Sequence, residues 1–132
     1  MLVLGISSFY HDSGAALVKN GKILSAVQEE RFTRIKHDNG FPYNSIDYCL
    51  KENNLKIDDV DEVVFYENPK LKMDRILKTL VSNAPRNFNL FSKAFISQYK
   101  KWRQLKKEFP DLQFIKHHES HAASAFYPFL IL

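Results

Sequence analysis

Cysteine is almost absent from this chain: Cys49 is the single thiol among 132 residues. One thiol excludes an internal disulfide and agrees with a reducing, cytoplasmic setting, and on an apolar helix face Cys49 reads as a buried, inert side chain. Long hydrophobic runs are missing too. Nothing approaches the roughly 20 apolar residues that cross a bilayer, and Met1-Leu2-Val3-Leu4-Gly5-Ile6 is too short, and lacks the basic flank, to be a secretory signal. Repeats and low-complexity tracts do not occur. Charge of one sign is scarce as well: 19 Lys and Arg against 15 Asp and Glu leave +4. That surplus admits an anionic ligand such as a phosphate or nucleotide but does not argue for nucleic acid. What is present is core: 45% hydrophobic residues, 14% of the chain aromatic, suit one globular domain.

The pattern along the chain predicts an α/β order. Residues 2–8, 14–19 and 22–28 read as strands, the last two joined by Asn20-Gly21, the pair that a two-residue type I′ turn requires because both central residues take positive φ. A charged loop over 29–43 ends at Gly40-Phe41-Pro42, after which Asn44 or Ser45 can cap a helix with Ile46, Cys49 and Leu50 at helical spacing. Residues 60–66 read as a strand, 71–81 and 88–109 as helices and 112–115 as a fifth strand, and a helix rich in histidine follows. The sum is βββαβααβα. A meander followed by crossover strands makes a mixed sheet with helices on its faces, and the expected architecture is ribonuclease H-like. That unit forms one half of the actin, heat-shock ATPase and sugar-kinase superfamily, in which the first hairpin cradles phosphate.

Three runs carry candidate chemistry. In His117-His118-Glu119-Ser120-His121, His117 and His121 stand one helical turn apart, so both imidazoles can reach one divalent metal, while His118 lies about 100° around the helix. Capping of the helix start by these histidines is the plainer alternative. The turn Ser7-Ser8-Phe9-Tyr10-His11-Asp12-Ser13-Gly14 offers small residues and hydroxyls where backbone amides can approach an anion, or else an ordinary polar turn. In the charged loop, Arg31, Arg34, Lys36 and His37 suit phosphate or carbamoyl recognition, although such a run is also what a solvated loop looks like. A fourth run, the long helix with Phe88, Phe91, Phe95, Tyr99, Trp102, Leu105 and Phe109 at steps of three or four, reads as a buried stripe whose lysines face solvent. Stacking of single-stranded nucleic acid on aromatics between basic residues is the competing reading.

Taken together, the runs G-I-S-S-F-Y-H-D-S-G-A-A-L-V, Q-E-E-R-F-T-R-I-K-H-D-N-G-F-P and H-H-E-S-H-A-A-S-A-F resemble the N-terminal part of the NodU/CmcH-type O-carbamoyltransferases, in order and over nearly the whole chain. The resemblance implies transfer of a carbamoyl group from carbamoyl phosphate, through carbamoyl adenylate made with ATP, to an acceptor hydroxyl. It is similar also to the enzymes that install threonylcarbamoyl on tRNA adenosine. Carried onto this chain, it implies a divalent metal, iron first and zinc second, on His117 and His121. It implies His11, Asp12 and His118 as catalytic residues near the reacting group. It implies Ser13, Arg34, Lys36 and His37 as substrate- or nucleotide-binding residues.

The family also joins this part to an acidic metal ligand, a second phosphate loop, an adenosine site and a YrdC-like domain, none of them found in residues 1–132. The expectation is therefore an N-terminal piece of a carbamoyltransferase, completed by a C-terminal half or a YrdC-like domain, which can be a separate chain. Small-molecule substrates and self-association through exposed apolar surface are expected, and a membrane is not. A non-catalytic scaffold of the same fold and a basic nucleic-acid module are the alternatives.

Overall fold

A computed structural model describes residues 1–83 and 88–126. The order is β1 (Leu2–Ser7), β2 (Gly14–Lys19), β3 (Lys22–Gln28), α1 (Glu30–Thr33), α2 (Tyr43–Glu52), β4 (Glu62–Phe65), α3 (Pro69–Asn83), α4 (Phe88–Glu108), β5 (Gln113–Phe114) and α5 (His117–Phe126), with a 3₁₀ turn at Ile57–Asp59 before β4. The five strands form one mixed sheet in the order β3-β2-β1-β4-β5. β2 runs antiparallel to both its neighbours, whereas β4 is parallel to β1 and β5 to β4. The α/β expectation therefore holds as a five-stranded mixed sheet with helices. The β2–β3 turn holds too: Asn20 and Gly21 take φ of 50° and 81°.

Alternation along the strands decides which face is the core. Leu2, Leu4 and Ile6 of β1 and Ala15 and Leu17 of β2 point one way, and Leu4 and Leu17, which pair, are completely buried. Onto that face α2 lays Ile46, Cys49 and Leu50, α4 adds Leu105, and Phe41, Phe65 and Leu112 complete the cluster. Cys49 is the buried thiol expected, its Sγ 3.6 Å from the Ala15 carbonyl, and burial holds its pKa above the usual thiol value. The opposite face carries Val3, Gly5, Ser7, Ala16 and Val18, none of them fully buried, and the exposed Ala26. Beside it rise α5, at the β4–β5 side, and Arg31 of α1.

Several expectations need correction. The loop over 29–43 contains the single-turn helix α1, and α2 begins at Tyr43 behind Pro42, with neither Asn44 nor Ser45 acting as its cap. Strands 60–66 and 112–115 are shorter than expected, and the first of the two helices is longer, opening at Pro69, where a missing N–H costs nothing. The aromatic stripe of α4 is only partly core: Leu105 alone is fully buried, while Phe88 and Tyr99 stay 54% and 45% exposed. Only the C-terminal end of α4 reaches the cluster, through Leu105, with Phe109 just beyond the helix beside it, and the rest packs on α3. Nor are all its lysines solvated, since Lys101 Nζ donates to the Phe9 carbonyl at 3.0 Å and Lys106 Nζ to that of Pro110 at 2.6 Å. Asn83-Ala84-Pro85-Arg86-Asn87 reads as a turn-forming linker and the residues from Tyr127 as the start of a further strand, and both lie largely outside the described residues.

Candidate functional site

Strand direction gathers the candidate residues. Because β1, β3, β4 and β5 all run the same way, the loop after β1, the loop after β3 and the start of α5 after β5 emerge at one edge of the sheet, the carboxyl edge. Ligands of open α/β sheets sit outside that edge. Tight main-chain bonds join the first two loops: Phe9 N–H donates to the Asn39 carbonyl at 2.9 Å and Ser13 N–H to that of Asp38 at 2.8 Å.

Across this junction one carboxylate holds two imidazoles. His11 Nδ1 lies 2.7 Å from one oxygen of Asp12, and His37 Nδ1 lies 2.8 Å from the other. Both Nδ1–H groups can donate to Asp12, which leaves each Nε2 as the accepting nitrogen, the arrangement by which a carboxylate fixes an imidazole tautomer. The bonds from His37 first and His11 second hold the Asp12 carboxyl below its ordinary value of 3.8, and Asp12 in turn raises His37 above 6.5. Asp12 and His37 both sit in the left-handed region, with φ of 51° and 57°. Such conformations in non-glycine residues are sparsely populated and persist where surrounding structure imposes them. The His37 amide is anchored besides by Glu30 Oε2 at 3.0 Å.

The histidine helix brings a second group to the same edge. His117 and His121 Nε2 atoms lie 3.0 Å apart, and α5 is tied to β4 by Ser120 Oγ donating to the Tyr66 carbonyl at 2.8 Å. Metal–nitrogen bonds of about 2.0–2.1 Å put two nitrogens on one ion about 3.0–3.4 Å apart, so the pair fits as two ligands. His117 Nδ1 makes no hydrogen bond among the described residues, and no third His, Cys, Asp or Glu there joins the pair as a ligand. His118 meets His117 edge-on at 6.0 Å and is exposed, outside the pair as its position on the helix requires. The Tyr66 ring lies 5.6 Å from His117, and its phenol is pushed up to about 12 by burial first, then by Glu67 and Tyr10. Tyr10 contacts His11, at 4.4 Å between rings.

The remaining candidates differ in how the structure uses them. Ser13 is fully buried, and its hydroxyl has no partner among the described residues. Arg34 ends α1 with φ of 61°, and both Arg34 and Lys36 are exposed. Asp12, Glu30 and His37 offer ligand atoms within 4.8 Å of one another. The same atoms serve the hydrogen bonds already given, which account for their gathering. A cleft of about 820 Å³ opens over the bare face of the sheet, floored by Gly5, Gly14, Ala16 and Ala26 with Arg31 and Ser120 at its walls.

Sequence reasoning missed Glu29, Glu30 and Tyr66. Glu29 and Glu30 sit in a charged run that looks solvated, and nothing local tells that Glu29 turns inward to meet a helix 15 residues later. Tyr66 reads as the last residue of a strand, and its contact with His117 exists only through the return of α5.

Comparison with known proteins bears on the whole chain. A family model described as Carbamoyltransferase N-terminus matches residues 2–131. An uncharacterised protein of Synechocystis is 46% identical over 96% of this chain, and the nodulation protein NolNO of Sinorhizobium fredii is 34% identical over 91%. The chain spans 23% and 18% of the lengths of those two relatives. An uncharacterised protein of Methanocaldococcus jannaschii is 40% identical over 54% of the chain.

Proposed function

The chain belongs to the carbamoyltransferase N-terminal family, and from that premise we propose that its carboxyl edge forms half of an O-carbamoyltransferase site. The observation that carries the reading is Asp12 holding His11 and His37 by their Nδ1 atoms on the edge from which the His117–His121 pair also rises. In the transfer, the acceptor oxygen bonds to the carbamoyl carbon of carbamoyl adenylate, the bond from that carbon to the phosphate oxygen breaks, AMP leaves, and the hydroxyl proton passes to His11 Nε2. By accepting from the His11 Nδ1–H, Asp12 fixes the tautomer in which Nε2 is the accepting nitrogen and steadies the ring as the proton arrives. His37, raised toward the cation by the same carboxylate, suits the phosphate together with the exposed Lys36 and Arg34. Buried Ser13 holds the loop through its main chain, and His118 is free to contact substrate.

His117 and His121 would hold a divalent metal, iron first and zinc second, which when bound supplies Lewis acidity for the carbamoyl carbonyl. Three protein ligands are usual for a catalytic metal. A further ligand, the ATP site and the YrdC-like function that makes carbamoyl adenylate then belong to sequence of the kind that fills the rest of the longer relatives. The bare sheet face supports a partner element there. We further assign the order β3-β2-β1-β4-β5, with β2 alone antiparallel, to a ribonuclease H-like half of a sugar-kinase-type domain.

The experiment is transfer of radiolabelled carbamoyl from carbamoyl phosphate with ATP to a hydroxyl acceptor, using protein that includes the downstream part. Asp12→Asn and His11→Ala are expected to lose about 10²–10⁴-fold in rate. Full activity in both variants would refute the assignment.

A further inference from the structure

Glu29, between β3 and α1, is a carboxylate only 3% exposed. Its two oxygens accept from Asn44 N–H at 3.2 Å, Asn44 Nδ2 at 2.7 Å, Ser45 N–H at 2.8 Å and Ser45 Oγ at 2.6 Å. Those amides belong to the first turn of α2, which has no side-chain cap from its own N-cap, Pro42. Orphan N–H groups and the positive end of the helix dipole are what a buried carboxylate needs, so the charge is matched where it sits. The main chain of the same residue is equally occupied. Its N–H donates to the Ser13 carbonyl at 2.8 Å, and its carbonyl accepts from Phe32 and Thr33 at 2.9 and 3.1 Å.

One residue therefore pins both ends of the segment 30–43 and joins it to the loop after β1. We propose that Glu29 is a positioning residue for the Asp12–His37 pair: by closing the loop that carries His37 and tying it to Ser13, it brings the imidazole onto the carboxylate. Asp38 and Asn39, which receive the Ser13 and Phe9 amides, lie inside the closed segment, so the register between the two loops depends on where that segment ends. The bearing of this on catalysis rests on the functional reading above, and the positional claim does not.

The test uses the ¹⁵N-labelled chain and reads two signals: the His37 ring-nitrogen shifts, which report Nδ1–H bonded to Asp12, and hydrogen exchange at the Phe9 and Ser13 amides. Glu29→Gln keeps the shape but turns an amide N–H₂ toward groups that already donate. Leu2→Ala, at the opposite edge of the sheet, is the control for loss of stability alone. Glu29→Gln is expected to give ring shifts of a free tautomer mixture and exchange about tenfold faster than in the control. Ser45→Ala, which removes only the 2.6 Å hydroxyl bond, is expected to move both signals the same way by less, and it replaces Glu29→Gln if that variant does not fold. A folded variant with both signals as in Leu2→Ala overturns the proposal. Lost carbamoyl transfer with the His37 signal intact would instead count against the functional reading.

Discussion

Gly14 opens β2 one residue after Ser13, and a methyl group there has nowhere to go. A Cβ would stand 2.7 Å from the Val27 carbonyl oxygen and 3.3 Å from Gln28 Cα, both main-chain atoms of the paired strand β3. No flexible side chain can swing aside, so Gly14→Ala must push β3 away from β2 at the point where Gly14 pairs with Gln28. Forcing atoms into such a contact costs about 1–3 kcal/mol. For 132 residues, an unfolding entropy near 2.1 cal/mol/K per residue converts that to a fall of about 4–11 °C in melting temperature. The assay is thermal denaturation followed by circular dichroism, with Gly5→Ala as the control. At Gly5 the nearest atom is the Ala16 carbonyl oxygen at 3.8 Å, an ordinary contact, and the change should stay within about 0.5 kcal/mol. Because the backbone at Gly14 is not in the positive-φ region, the cost is steric alone. Two variants melting alike would refute the reasoning.

Other predictions concern charge and metal. Asp12, held below 3.8 by His37 and then His11, stabilises the loop junction above that pH and loses the contribution as pH falls through its depressed value. His37, raised above 6.5 by Asp12, contributes fully below 6.5 and loses its contribution as pH rises through the raised value. Amide protection at Ser13 and His37 should therefore be greatest between 3.8 and 6.5, and a profile flat across that window and beyond it would contradict the pair. Calorimetric titration with Fe²⁺ or Zn²⁺ should give one weak site on the chain, lost in His121→Ala; equal binding by parent and variant would remove the assignment.

The sheet was legible because its signals are local. Asn20-Gly21 dictates its own turn, and alternation at Leu2, Leu4 and Ile6 dictates a face. The i, i+4 spacing of His117 and His121 likewise predicts that they meet, as they do at 3.0 Å. What escaped is whatever depends on chain brought from far away. Asn44 and Ser45 look like helix caps, yet their amides are answered by Glu29, a partner that no periodicity marks. The stripe on α4 has helical spacing throughout, but spacing does not say how much of a helix lies over the sheet, so Phe88 and Tyr99 remain exposed beside a buried Leu105. The resemblance implied His11 and Asp12 near the reacting group and His37 among the binding residues. Their meeting on one carboxylate required the loops after β1 and β3 to leave the same edge.

The bond from Lys101 to the Phe9 carbonyl spans 92 residues, a long-range contact that loop-closure entropy makes costly to form early. The β1–β2–β3 meander closes over short chain distances and can form early, whereas contacts between distant segments follow only after larger entropy is lost. Phe9, with φ of 72°, belongs to the loop that carries His11 and Asp12, and its carbonyl is met only when α4 docks. Burial lowers the pKa of Lys101, with Lys72 adding to the effect, so the docked ammonium is partly desolvated against that oxygen. During synthesis the hairpin emerges long before the lysine does. The loop after β1 is thus held by Asp38 and Asn39 from the first half of the chain, and its Phe9 carbonyl gains the ammonium only when the second half has arrived.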